Sequence, residues 1–272
     1  MNKSVLRHRW FRAEYESAFR MAAILCLLLA LAVAGGACAP KQQISPVAAN
    51  QAQTTMQLAE ALMAEAKYRQ ALQRLNEVKA LDDRDPKLYY NYGLVYLALE
   101  QPELAAEHFK QALRKDPNYS AAKNNLGLAY GAMGQWEKAI PIFEELAANL
   151  LYVNPQQPML NLGWIYFNKK EYEKSAGYYR KAIEYQSDYA QAWRGLGRTY
   201  LAMGRINEAA QALEKAVEIA PFFAGAMLDL GQAYMALGLP AKARQAWQRA
   251  ADVEPESREA AEAKALLERI GR

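Results

Sequence analysis

The 272-residue sequence is poor in the side chains on which many functions depend. Two cysteines, Cys26 and Cys38, are too few for a disulfide framework, and no C-x-x-C pair exists to hold zinc. The two histidines, His8 and His108, stand too far apart for the common imidazole-based metal sites, so neither metal nor cofactor is expected. His108 is placed on a solvated helix surface rather than in a catalytic role. Serine is sparse after the first forty residues (Ser45, Ser120, Ser175, Ser187 and Ser257), and none lies in a G-x-S-x-G turn. The G-x-G of Gly195-Leu196-Gly197 follows no strand pattern and is no dinucleotide loop. These absences argue against an enzyme. An excess of one charge is missing too. The net charge is +4, but Lys3, Arg7, Arg9, Arg12 and Arg20 against Glu14 and Glu16 place most of it in the first 37 residues. The nearly neutral remainder lacks the basic face that a nucleic-acid partner requires.

No apolar run is long enough to span a bilayer as a helix. Residues 21–34 (MAAILCLLLALAVA) fall short of the roughly 20 residues a spanning helix needs. After a basic stretch, and before Gly35-Gly36-Ala37, such a run suits the core of a signal peptide. The segment resembles a bacterial lipoprotein signal, in which small residues precede a cysteine that becomes the acylated first residue. Here that residue is Cys38, although Gly35 stands where the family usually has Leu. Cleavage at Ala37-Cys38-Ala39 as an A-x-A site would put Pro40 after the cut, which ordinary signal peptidase disfavours. Acylation of Cys38 is therefore preferred over a soluble periplasmic protein or an uncleaved inner-membrane anchor, and buried acyl methylenes would supply the membrane affinity. Lipoproteins kept in the inner membrane often carry Asp after the cysteine. Ala39 stands there instead, so the resemblance implies an outer-membrane address facing the periplasm. Residues 1–37 are assigned to the signal and 38–51 to a polar tether.

What the rest of the chain does contain is a repeat. Gly93, Gly127, Gly163, Gly197 and Gly231 recur in the frames NYGLVY, NLGLAY, NLGWIY, GLGRTY and DLGQAY, each followed three residues on by Tyr96, Tyr130, Tyr166, Tyr200 or Tyr234. Ala105, Ala139, Ser175, Ala209 and Ala243 follow in register, then Phe109, Phe143, Tyr179, Leu213 and Trp247. Pro117, Pro155, Pro221 and Pro255 close four units. The pattern resembles the tetratricopeptide repeat, a 34-residue helix–turn–helix unit. The units fall at about 86–119, 120–155, 156–189, 190–223 and 224–255, and a divergent one lies at 52–85 with Ala59 in the glycine slot. The resemblance implies an all-α fold, a solenoid in the form of a right-handed superhelix of six hairpins. Gly and Ala would sit where the two helices of a hairpin approach, and the aromatics would fill the gaps between hairpins. No hairpin buries its apolar face alone, so stacking supplies the core. Residues 256–272 form a capping helix with an apolar stripe of Ala260, Ala263, Leu266, Leu267 and Ile270. The third unit is 36 residues long; its extra residues, within 147–155, lengthen the second helix or bulge the turn after it. They are a recognition loop or a tolerated insertion.

In repeats of this type the first helix of each hairpin lines the concave groove. Counting from the glycine puts Tyr90, Asn91, Leu94, Asn124, Asn125, Leu128, Asn161, Trp164, Phe167, Arg194 and Arg198 on that face, with Leu228, Asp229 and Gln232 further along. Asn91, Asn125 and Asn161 occupy one repeat position. They form either an amide ladder able to pair with an extended peptide backbone or a set of bonds within the fold. Trp164 and Phe167, one turn apart, are anchor residues or intramolecular packing. Arg194 and Arg198 are a carboxylate clamp or a solvated face.

The anchored solenoid and the stretch 150–167 (LLYVNP followed by MLNLGWIYF) resemble the tetratricopeptide lipoproteins of type IV pilus biogenesis. That resemblance implies a pilotin role, in which a secretin subunit rides in the groove to the outer membrane and multimerises there. The alternative is an adaptor that brings peptidoglycan synthases or hydrolases together.

Overall fold

The computed structural model describes residues 44–149 and 152–270; the expected signal and Cys38 lie outside the described residues. The chain divides into two compact units, Met1–Ala49 and Asn50–Arg272, and in the first only the start of one helix is described. Among the described residues there are thirteen helices and no strand. They are α1 (Pro46–Ala64), α2 (Tyr68–Leu81), α3 (Pro86–Ala98), α4 (Pro102–Lys115), α5 (Ser120–Ala132), α6 (Trp136–Ala148), α7 (Gln156–Asn168), α8 (Tyr172–Tyr185), α9 (Ala190–Ala202), α10 (Ile206–Ile219), α11 (Ala224–Ala236), α12 (Pro240–Val253) and α13 (Arg258–Ile270). Helix α1 begins at Pro46, so the last six residues of the expected tether, 46–51, are helical.

Odd- and even-numbered helices alternate as the first and second arms of hairpins. Each hairpin turn contains one residue in the left-handed region at the same repeat position: Ala66, Glu100, Gly134, Lys170, Gly204 and Gly238. That conformation lets the next amide reach back to close the helix. Thus Gln101, Gln135, Glu171, Arg205 and Leu239 donate their backbone N–H groups to the carbonyls of Tyr96, Tyr130, Tyr166, Tyr200 and Tyr234 at 2.8–2.9 Å.

The glycines mark the closest approach of the two arms. A methyl group added at Gly93 would stand 2.4 Å from the Phe109 ring, one at Gly127 2.7 Å from Phe143, and one at Gly163 2.8 Å from Tyr179. Each large residue therefore lies on the glycine of its own hairpin, and Tyr179 also fills the gap to the next one, where a methyl at Gly195 would stand 2.4 Å from its ring, as expected of the aromatics. Phe109, Phe143 and Leu213 are fully enclosed there.

The curvature follows from which helices touch. From α3 to α13, the backbones of successive odd-numbered helices approach closely, whereas those of successive even-numbered helices stay further apart and meet only through long side chains such as Tyr178 and Glu144. The odd helices thus form the inner, concave layer and the even helices an outer layer with gaps between its members. Repeat-to-repeat connectors run four residues, except for the seven between α6 and α7. Helix α6 is not lengthened, so the insertion of the third unit lies wholly in that connector. Helix α13 seals the last hairpin: Ala260 and Ala263 are buried, and Leu266, Leu267 and Ile270 pack against the same cluster as Trp247.

Candidate peptide-binding groove

The inner face is formed by α3, α5, α7, α9 and α11, and its polar residues form bonds in a regular pattern. Asn91 donates from Nδ2 to Glu60 Oε1 at 2.9 Å and to the Met56 sulfur at 3.3 Å. Asn125 donates to the Tyr90 hydroxyl and to the Ala121 carbonyl, both at 3.1 Å. Asn161 donates to Asn124 Oδ1 at 3.4 Å. One repeat position thus bonds, in each case, to the residue before it in the preceding repeat. Arg194 and Asp229 continue the series as an ion pair, with Nε 2.5 Å from Oδ2. The amide ladder is therefore an inter-repeat seam whose donors are committed inside the fold. Asn91 and Asn124, expected on the open groove face, are 3% and 6% exposed, because the adjacent inner helix covers them.

The expected double-arginine clamp is likewise divided. Arg194 is held by Asp229 and lies 5.2 Å over the Phe223 ring. Burial pushes the Asp229 carboxyl above the ordinary carboxylate range, against the opposing pull of Arg194. Arg198 is exposed, has no carboxylate partner among the described residues, and stacks 5.2 Å over the Phe167 ring. It is the exposed cation of the clamp, and its charge also acts on Asp229.

Trp164 is the exposed aromatic of the groove, at 40%. Its ring meets Trp136 edge-on at 5.5 Å and covers Gly131, where an added methyl would stand 3.2 Å away. Phe167 packs against Tyr172 at 5.7 Å. Both rings thus have packing partners within the fold, and such preorganisation lowers the entropic cost of binding. Leu94 and Leu128 are half-buried along the same face, and Tyr90 is wedged between Phe109 and Tyr119. Beyond Phe167 the groove deepens into a cavity of about 610 Å³, lined by Arg194, Arg198, Leu201, Asp229, Gln232 and the capping-helix residue Glu262.

Sequence reasoning missed the seam partners and the role of His108. That imidazole is not solvated: it is half-buried, stacked 4.7 Å from Tyr92 and 5.2 Å from Tyr96, and its Nδ1 meets no hydrogen-bond partner among the described residues. Burial, with help from Lys79, holds its pKa below the usual histidine value. The signal for this was the run Tyr89, Tyr92, Tyr96 on one side of α3, at helical spacing.

Comparison with known proteins agrees with this geometry. Models of the tetratricopeptide repeat match residues 86–119, 124–188, 160–222 and 201–267, more than half of the chain. PilW, described as a widely conserved type IV pilus biogenesis factor, superposes with a TM-score of 0.69 at 22% identity, over 79% of this chain and 98% of that one. Pseudomonas aeruginosa PilF gives 0.65 at 17% identity, over 80% and 99%. At these identities the likeness is one of fold. A human sequence relative, protein O-mannosyl-transferase TMTC3, is 27% identical over 127 residues, which are 44% of this chain and 13% of that protein. With a repeat model matched on every hairpin from α3 onward, the chain belongs to the tetratricopeptide-repeat family.

Proposed function

We propose that this chain is a non-enzymatic scaffold of the bacterial envelope that binds secretin subunits of a type IV pilus and promotes their multimerisation in the outer membrane. In this reading Cys38 is acylated, the solenoid faces the periplasm, and the lipid carries the bound subunit along the lipoprotein route. The observation that carries the binding reading is the Trp164–Phe167–Arg198 cluster. It is an apolar surface on the inner face with an exposed guanidinium stacked at its edge. Such a surface fits a partner segment that offers an apolar side chain next to a carboxylate: the rings supply buried area, and the guanidinium supplies a charge-assisted bond. The choice of partner is supported by the likeness of fold to PilW and PilF, which spans nearly the whole of those chains and about four fifths of this one.

The test is a strain lacking the gene, with outer-membrane fractions run unboiled and probed for the high-mass secretin multimer. The multimer should vanish while monomer persists. The wild-type gene should restore it, and a gene carrying Trp164→Ala with Phe167→Ala should not. An unchanged multimer in the deletion strain would remove the secretin assignment and direct attention to cell-wall partners.

A further inference from the structure

A second cavity, of about 670 Å³, opens on the outer layer between α8 and α10, away from the groove. One repeat position contributes to it. His108, Ile142, Tyr178, Ala212 and Ala246 are equivalent residues of successive even-numbered helices, spaced as the five glycines are. In α4 the His108 ring fills the space beside Tyr92 and Tyr96. In α6, Ile142 packs into the core, and in α8 Tyr178 stacks on Tyr166 at 5.3 Å with the rings 2° from parallel. At Ala212 that side chain is missing; Ala212, Leu196 and Tyr200 are themselves nearly buried, and the cavity opens at their edge, beside the half-buried Trp193 and Ile183. The floor is rigid: Trp193 donates its indole N–H to the Ser187 carbonyl at 2.8 Å.

The rim has a sign. Glu184, Glu208, Glu214 and Glu218 face it against Arg180 and Lys215. Glu218 is bridged by Lys215, and Glu208 by Arg205. Glu184 and Glu214 have no ion-pair partner among the described residues, Glu214 accepting the Tyr234 hydroxyl at 2.7 Å, and Arg180 makes no ion pair there either, so the rim keeps one negative charge in excess. A partly apolar cavity, roomy enough for a large side chain, under a rim with a negative excess selects an apolar side chain with cations beside it.

We propose that this outer cavity is a second protein-docking site, which takes a large apolar side chain from a segment flanked by Lys or Arg. It lies on the layer opposite the groove, so both sites can be filled at once and the chain can bridge two partners. The inference stands apart from the secretin assignment, since it uses no residue of the groove.

The probe is a fluorescein-labelled Lys-Lys-Leu-Phe-Lys-Lys peptide, titrated with the full chain and followed by anisotropy. Its controls are Glu-Glu-Leu-Phe-Glu-Glu and Lys-Lys-Ser-Gly-Lys-Lys. The basic-apolar peptide should bind at least about tenfold more tightly than either control. Ala212→Tyr, which restores the side chain α8 carries at this position, should abolish binding while helicity and melting temperature are kept. The exposed pair Glu184→Lys with Glu214→Lys should weaken it about tenfold and decides the matter alone if Ala212→Tyr fails to fold. Trp164→Ala in the groove should leave it unchanged. Equal affinity for the three peptides, wild-type binding by the Lys pair, or loss of binding in Trp164→Ala would each overturn the proposal.

Discussion

The contact between Gly93 and Phe109 sets up a sharp perturbation. In Gly93→Ala the new methyl would lie 2.4, 2.6 and 2.7 Å from three atoms of a ring that is 0% exposed and has no space to retreat into. Overpacking of this kind costs about 1–3 kcal/mol, against a helix-propensity gain of about 1 kcal/mol from replacing glycine. The net expectation is a loss of up to about 2 kcal/mol. Gly177, inside α8, is the control: nothing lies within 4 Å of its added methyl, so Gly177→Ala should gain about 0.5–1 kcal/mol. The first hairpin supplies the rescue, because Ala59 and Leu75 occupy the two equivalent positions there and both are fully buried. Phe109→Leu alone should lose about 1 kcal/mol through the cavity it leaves. Combined with Gly93→Ala it should lose less than the sum, with a coupling of about 1 kcal/mol. The assay is urea unfolding of the full chain followed by circular dichroism, with hydrogen exchange in α3 and α4 as the local readout, since repeats unfold in part. Gly93→Ala as stable as Gly177→Ala, or a double variant showing strict additivity, would refute the packing argument.

Three further expectations follow from the same geometry. Lys170 holds a left-handed φ of 61° in the turn where three other hairpins use glycine, so Lys170→Gly should raise stability by about 0.5–1 kcal/mol in thermal unfolding. His108 has a folded-state pKa below 6.5, so its contribution is present above pH 6.5 and is lost as pH falls through the folded value. His108→Phe should therefore show a flatter melting temperature than the wild type between pH 7.5 and about 5. Arg194→Met leaves Asp229 buried without its cation and should cost about 2–4 kcal/mol at pH 7. Because burial raises the Asp229 carboxyl above 3.8, the favourable protonated form is regained as pH falls, so the loss should shrink toward pH 4 in urea titrations.

The fold was legible because its governing signals are one-body and periodic. Gly93 and its four equivalents, with the Tyr three residues on, state where two helices must touch without reference to any distant partner. The turn position was half-legible: Gly134, Gly204 and Gly238 announce it, but Ala66, Glu100 and Lys170 adopt the same φ with no such signature. The groove was less legible because its polar residues answer to partners one repeat away. Asn125 reads as an exposed amide until Tyr90, 35 residues earlier, is placed against it, and Arg194 reads as a free cation until Asp229 is. The outer cavity was hidden for another reason: Ala212 is an ordinary helix residue, and what matters is the side chain it lacks relative to Tyr178.

The central claim is that the Trp164–Phe167–Arg198 face binds the secretin, and a direct titration addresses it. Purified secretin subunit titrated into the full chain should bind with a Kd on the order of micromolar or tighter, as expected of a small groove interface. The affinity should fall at least about tenfold in Trp164→Ala and in Arg198→Glu, and stay unchanged in Ala212→Tyr. No measurable binding, or binding indifferent to Trp164 and Arg198, would contradict the account.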